Sequence, residues 1–309
     1  MRFVGRFITT VLALGGATSF ATGVDEGVPA LKVIAPNGAE NLLVGSMHIP
    51  FEGLRQPSPT ILRGKKRLVI ESSVTAGPQP QKLDIQDILA PNALEDLKRT
   101  GKLGRAPWAT QLSAEQVAEL RKNASCMSAQ ADSMAVDMML AMKSAANAAT
   151  LAYWPCSTTG QRSRDEIFNQ AAATYELPIV TLETEAAVDK RRKAVPSRIY
   201  EEQLREAFTE QTRRNYSKIV SALNTGNYAA VADTMNSGYA TPMDAALVQK
   251  IMVDDRNLAW MPTLEHYFSE GNAVVLVGAG HLPGSHGLVA LLQKVGYRVT
   301  PVSLPANGS

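Results

Sequence analysis

One short phrase occurs twice in this chain of 309 residues, close to its two ends. The first copy reads Leu43-Val44-Gly45-Ser46-Met47-His48-Ile49-Pro50, and the second Leu276-Val277-Gly278-Ala279-Gly280-His281-Leu282-Pro283. Each is an apolar run of strand length, then Gly-x-x-His, an aliphatic residue and a proline. The sequence holds 4 histidines, so the two copies use half of them. Histidine is the commonest metal ligand and the usual proton shuttle. Two imidazoles leaving two strands through a glycine require a fold that brings both ends of the chain to one place.

The remaining segments fit around that requirement. Leu31 to Ile34 and Asn41 to Val44 read as strands joined by an Asn37-Gly38 turn, a hairpin signal. Arg67 to Ile70 is a short apolar strand running into Glu71, and Pro- and Gly-rich residues 76–80 interrupt the chain after it. Residues 84 to about 150 carry apolar side chains at helical spacing, Met134, Met138 and Met142 among them. Core packing is the preferred reading of that methionine stripe, and a groove for a flexible ligand is the alternative.

Asp165 to Tyr175 predicts a helix, and Leu177 to Leu182 a buried strand ending on Glu183. Residues 197–223 predict one long amphipathic helix, and Asp244 to Ser269 another that carries Arg256, Asn257 and Trp260. Asn272 to Val277 is the strand before the second histidine, with a helix at Leu288 to Lys294 and a strand at Gly296 to Val302. Alternating strands and helices define a mixed α/β fold: a central mixed sheet with surrounding helices, two sub-halves each contributing a Gly-x-x-His strand end. The last strand–helix–strand unit predicts parallel pairing. The division is a leader at 1–21 and a single domain at 22–309 with a helical insert at about 84–160.

Composition excludes several classes. Hydrophobic residues make up 45% and charged residues 19%, which is globular and not disordered. A net charge of +2 gives no electrostatic reason to expect nucleic acid as a partner. The cluster Lys190-Arg191-Arg192-Lys193 lies among Glu183, Glu185 and Asp189 and reads as a solvated face. Arg2 and Arg6 precede an apolar stretch from Phe7 to about Ala17, followed by Ser19-Phe20-Ala21. This is the pattern of a secretory signal cleaved after Ala21, so the protein is expected to be exported, periplasmic or secreted, with no stable membrane span after cleavage. In an oxidising compartment Cys126 and Cys156 are either a disulfide or two buried thiols. Neither has ligand spacing for a cysteine-based metal site.

His48, Glu71, Glu183 and His281 each lie at or just past the C-terminal end of a predicted strand, where α/β folds bind ligands. Two imidazoles and a carboxylate suit a divalent zinc, manganese, cobalt or iron ion. The glycines are expected to allow a tight exit that turns the histidine back over the strand end. His266 reads as a surface residue beside Glu265, and His286 as a loop residue near His281. There is no His-Glu-x-x-His and no Gly-x-Ser-x-Gly. Gly278-Ala279-Gly280 only superficially fits a dinucleotide turn, because the third glycine comes late, at Gly284, and the next strand ends without an acid for a ribose.

These residues resemble the TraB/GumN family, related to the TIKI-type metalloproteases. The matching segments are Leu42 to His48, Leu68 to Glu71, Pro178 to Thr184, Arg256-Asn257 with Trp260, and Val274 through His281 and Gly284 to Tyr297. They span roughly residues 31–303. The resemblance implies a mixed α/β fold with a metal-dependent, peptidase-like site acting on a peptide or protein. Carried over by position, His48 and His281 are metal ligands, Glu71 is a ligand or general base, and Arg256 and Asn257 shape the site. The mechanism would use metal-activated water, with Glu71 or Glu183 moving the proton and Arg256 stabilising the oxyanion. The alternative is a non-catalytic binding protein that uses the same pocket for a metal, peptide or small ligand.

Overall fold

The computed structural model describes residues 27–72, 85–127, 133–154, 156 and 161–307. The leader expected at 1–21 and the interruption at 76–80 lie outside them.

Six strands form one sheet: β1 (Val28–Ile34), β2 (Glu40–Ser46), β3 (Arg67–Ile70), β4 (Ile179–Thr181), β5 (Ala273–Gly278) and β6 (Arg298–Leu304). Their order is β4-β3-β5-β2-β1-β6. The first two make the expected hairpin, with Leu31 opposite Leu43 and Gly38 at φ +87° in the turn. β5 lies between β2 and β3, parallel to both, and β4 continues the parallel set beyond β3. The register places Ser46 beside Gly278 and Ile70 beside Leu276. The strand ends before His48, Glu71 and His281 are therefore immediate neighbours.

β5 is buried along its whole length, as a parallel strand covered on both faces should be. Its side chains alternate between two cores. Val275 and Val277 join Leu43, Val69, Trp260, Leu264, Phe268 and Leu288 on one face. Val274 and Leu276 join Val44, Leu68 and Phe168 on the other.

The helices follow in chain order. Between β3 and β4 come first α1 (Ile85–Ile88), α2 (Pro91–Thr100), α3 (Ala114–Met127), α4 (Ser133–Ala141) and α5 (Ala146–Ala152). Then come α6 (Arg164–Thr174), α7 (Glu185–Ala194), α8 (Ser197–Glu206), α9 (Glu210–Thr225), α10 (Tyr228–Asn236), α11 (Pro242–Gln249), α12 (Asp255–Glu270) and α13 (Leu288–Lys294). Helices α2 to α5 bury a separate core, in which Leu89, Leu120 and Leu140 pack with Leu204 of α8. Cys126 and Cys156 are disulfide-bonded with Cα atoms 5.5 Å apart, fastening the end of α3 to the segment after α5. Among the described residues, no helix is long and apolar enough to cross a membrane.

Several expectations are corrected. The last strand does not pair with β5, because β2 and β3 already occupy both edges of that strand. β6 instead pairs antiparallel with β1, at a sheet edge that tolerates Pro301. β4 is not buried: it is a three-residue edge strand with Ile179 43% exposed. Residues 197–223 are not one helix, because Thr209 caps a new one by accepting from the Thr212 backbone N–H. The span 244–269 is divided by a π-helical turn at Lys250–Asp254. Met134 and Met138 are exposed and so do not form the core stripe that their spacing suggested.

Candidate functional site

The parallel strands deliver their ends to one cluster. Glu71 follows β3 directly and sits over β5, where its Oε1 accepts from the Gly278 N–H at 2.6 Å. His48 reaches the same oxygen with Nε2 at 3.3 Å, and His281 Nε2 lies 3.8 Å from it. Arg256, from the first turn of α12, fills the other side. Its Nη2 donates to Glu71 Oε2 at 2.6 Å, its Nε to Glu183 Oε1 at 2.7 Å, and its Nη1 to the Met252 carbonyl at 3.1 Å and to His281 Nε2 at 3.2 Å. A second bond from Nη2 reaches Glu183 Oε1. All five N–H groups of this guanidinium thus have acceptors.

Each imidazole is held from behind at Nδ1, by a different partner. Asn257 is fully buried and spends its Nδ2 on the carbonyls of His281 and His286, at 3.1 and 2.8 Å. Its Oδ1 is therefore the atom 2.7 Å from His281 Nδ1, so that nitrogen carries the proton and Nε2 keeps its lone pair. On His48, Nδ1 is 3.0 Å from Asp165 Oδ1. Trp260, wholly buried, packs against both Arg256 and His281: the Arg256 guanidinium stands 4.7 Å above its ring and the His281 ring packs at 4.5 Å.

The motif glycines do different work from that expected, and neither has a positive φ. A Cβ on Gly278 would sit 2.8 Å from His48 Nε2 and 3.2 Å from Glu71 Oε1, so the missing side chain is the floor of the site. A Cβ on Gly45 would meet Tyr228, Ala279 and Leu282, so that glycine serves packing of the second motif on the first. The left-handed residue is His48 itself, at φ +62°.

The electrostatics follow from this arrangement. Burial disfavours a charge on His281 and, with Arg256 beside it, brings its pKa down to about 4. Burial also works against charge on His48. Its side chain is nevertheless 44% exposed and is flanked by Asp165 and Glu71, which hold it well above 6.5. Glu71 resists its own burial through the imidazoles and Arg256 and stays well below the usual carboxylate range. Asp165, likewise opposed by burial, is lowered by His48 and by the Ser46 hydroxyl.

A divalent ion was expected here, and the donors can be tested for one. Ligands about 2.1 Å from a tetrahedral zinc stand about 3.4 Å apart. The separations of 3.3 and 3.8 Å from Glu71 Oε1 to the two Nε2 atoms are of that size. Both Nδ1 atoms are engaged by orienting partners, as metal-binding histidines require. Among the described residues, no three such side chains already enclose an ion position, and Arg256 occupies the His281 lone pair. An ion at this point would require the Arg256 Nη1–His281 Nε2 hydrogen bond to be given up and a proton to leave the His48 imidazole, which its carboxylate neighbours hold charged.

His48, Glu71, Glu183, Arg256, Asn257 and His281 thus converge. Glu183 faces Arg256 and not the open side, which suits it to hold the guanidinium. Thr184, not Glu183, caps α7. His286 lies in its loop with a 58% exposed side chain, and His266 pairs with Glu270 at the surface. Asp165 and Ser46 were missed from sequence. Asp165 sits in the first turn of a capped helix, where an acid is ordinarily explained by the helix dipole.

The fold and site define a mixed α/β protein with a histidine–carboxylate–arginine centre at the carboxyl ends of adjacent parallel strands. The TraB/PrgY/gumN family model matches residues 30–301, and the chain belongs to that family. No curated relative and no solved structure matches it.

Proposed function

We propose that this protein is an exported metal-dependent hydrolase that cleaves peptide bonds, of the kind the TIKI-type resemblance suggests. The observation that carries the reading is the convergence of His48 Nε2, His281 Nε2 and Glu71 Oε1 over the bare Gly278. His48, His281 and Glu71 would hold the ion, which is zinc, manganese or cobalt. Such an ion supplies Lewis acidity, acidifying water and polarising a carbonyl.

The chain's own residues do the rest. Asp165 and Asn257 keep both imidazoles turned with Nε2 forward. Glu183 fixes Arg256 through its Nε, so the guanidinium cannot swing away. Arg256 Nη1 is the donor that can turn to an oxygen gaining charge, because its present acceptor is a ligand in waiting. Glu71 is either the third ligand or the general base; as the base, its Oε1, beside the Gly278 N–H and both imidazoles, takes a proton and returns it to a leaving amine. The disulfide supports an oxidising compartment, in keeping with export.

One observation favours the second reading, a binding protein without turnover: every N–H of Arg256 already has an acceptor, so the cluster is closed without substrate. Elemental analysis of the purified protein and incubation with a broad peptide library separate the two. The hydrolase reading expects one ion per chain and cleavage that His48→Ala abolishes. A bound ion with an uncut library supports the binding reading, and no ion with an uncut library refutes the hydrolase.

A further inference from the structure

The first turn of α6 lies 117 residues from His48 in sequence and grips the motif from both sides. Arg164 is almost fully buried. It spends Nη1 on the Gly45 carbonyl and Nη2 on the Arg55 carbonyl, 2.9 Å away, and among the described residues no carboxylate accepts from it and its Nε has no hydrogen-bond partner. A buried guanidinium so incompletely satisfied is unusual, and what it holds is the backbone before and after His48. The next residue, Asp165, closes a ring around the imidazole. Its Oδ1 is 3.0 Å from His48 Nδ1, its Oδ2 accepts from the Ser46 hydroxyl, and the Ser46 oxygen accepts from the His48 backbone N–H at 3.0 Å.

His48 adopts the left-handed backbone that residues with a Cβ rarely take. Its side chain is 44% exposed, so surrounding packing does not fix it. His281 differs on every count: it is buried and is held by the neutral amide of Asn257.

We propose that Asp165, with Ser46, is the positioning residue that locks the His48 imidazole and its left-handed backbone in the geometry the site needs. The anchor is Arg164 and the Ser163–Glu166 capping box that starts α6 at this point. The proposal rests on the reading of His48 as a metal ligand, since a histidine whose other nitrogen is held by a carboxylate is both oriented and made a better donor. The exposed histidine receives the charged partner because it alone lacks packing to orient it.

The test uses the full-length protein, with Zn2+ as the probe and two readouts. The first is the slowly exchanging imidazole N–H proton resonance of His48, assigned by its loss in His48→Gln. The second is zinc affinity by calorimetry. Asp165→Ala is expected to lose the resonance and to bind zinc about 10- to 100-fold more weakly. Asp165→Asn, which keeps the shape and an acceptor, is expected to shift the resonance and to lose less affinity. Retention of the resonance in Asp165→Ala, with zinc affinity within threefold of the parent, overturns the proposal. If Asp165→Ala does not fold, an unshifted resonance and unchanged affinity in Asp165→Asn overturn it instead. If the parent binds no zinc but the resonance follows Asp165, positioning stands and the metal reading falls. If His48→Gln abolishes zinc binding and Asp165→Ala does not, the metal reading stands and positioning falls.

Discussion

Adding one methyl group at the same place in each copy of the repeated motif should give opposite results. In Gly278→Ala the new Cβ would lie 2.8 Å from His48 Nε2, 3.2 Å from Glu71 Oε1 and 3.5 Å from His281 Cδ2. The first distance is inside any real contact, and His48, whose side chain is 44% exposed, is the group that gives way, at the cost of its Asp165 hydrogen bond. The imidazole therefore swings outward and the fold is spared. Displacing a ligating atom by about 1 Å costs on the order of 100-fold, or about 3 kcal/mol of binding. In Gly45→Ala the Cβ would instead meet Tyr228 at 3.0 Å, Ala279 at 3.1 Å and Leu282 at 3.2 Å. These neighbours are buried, so the variant is overpacked by about 1–3 kcal/mol. Zinc calorimetry and urea denaturation on both variants read the two effects separately. Gly278→Ala should keep its unfolding midpoint and lose zinc, whereas Gly45→Ala should lose stability first. Zinc affinity unchanged in Gly278→Ala, or the same profile in both variants, would refute the reasoning.

Three further outcomes follow from the same geometry. In metal-free protein, His281 has a folded pKa of about 4 against 6.5 unfolded, so its contribution is present above 6.5 and is lost as pH falls towards 4. The gap of roughly 2.5 pH units is worth about 3 kcal/mol, about half of it between pH 6.5 and 5, and urea midpoints across that range should lose this slope in His281→Gln. Arg256→Leu removes the cation that Glu71 and Glu183 share, leaving Glu183 buried without its guanidinium partner, and should cost about 3–5 kcal/mol in denaturant unfolding; a loss under 1 kcal/mol contradicts the network. Replacing Cys126 and Cys156 by serine removes a loop constraint of 30 residues and should cost about 3 kcal/mol, read as a lower melting temperature than that of the oxidised parent.

What could be read from sequence depended on whether the signal was local. The Asn37-Gly38 hairpin, the strands before His48, Glu71 and His281, and the helix bearing Arg256 and Asn257 all follow from turn chemistry and periodicity within a few residues. The repeat itself pointed to one site, and the register of β2 beside β5 explains why. The path of β6 was not legible, because the strand–helix–strand pattern does not reveal that both edges of β5 are already taken. Nor was the exposure of Met134 and Met138, since spacing places residues on one helix face without saying what covers that face. Asp165 was hidden for a different reason: an acid in a first helical turn has an ordinary local explanation, and only the tertiary fold turns its carboxylate toward His48.

The proposed function requires both ends of the chain to ligate one ion. Calorimetric titration of zinc into the parent, His48→Ala, His281→Ala and the double variant tests it directly. One shared ion predicts a single site in the parent. Each single substitution should abolish most of the affinity, and the double variant should be little worse than either single one. Undiminished zinc binding in either single variant would contradict the claim.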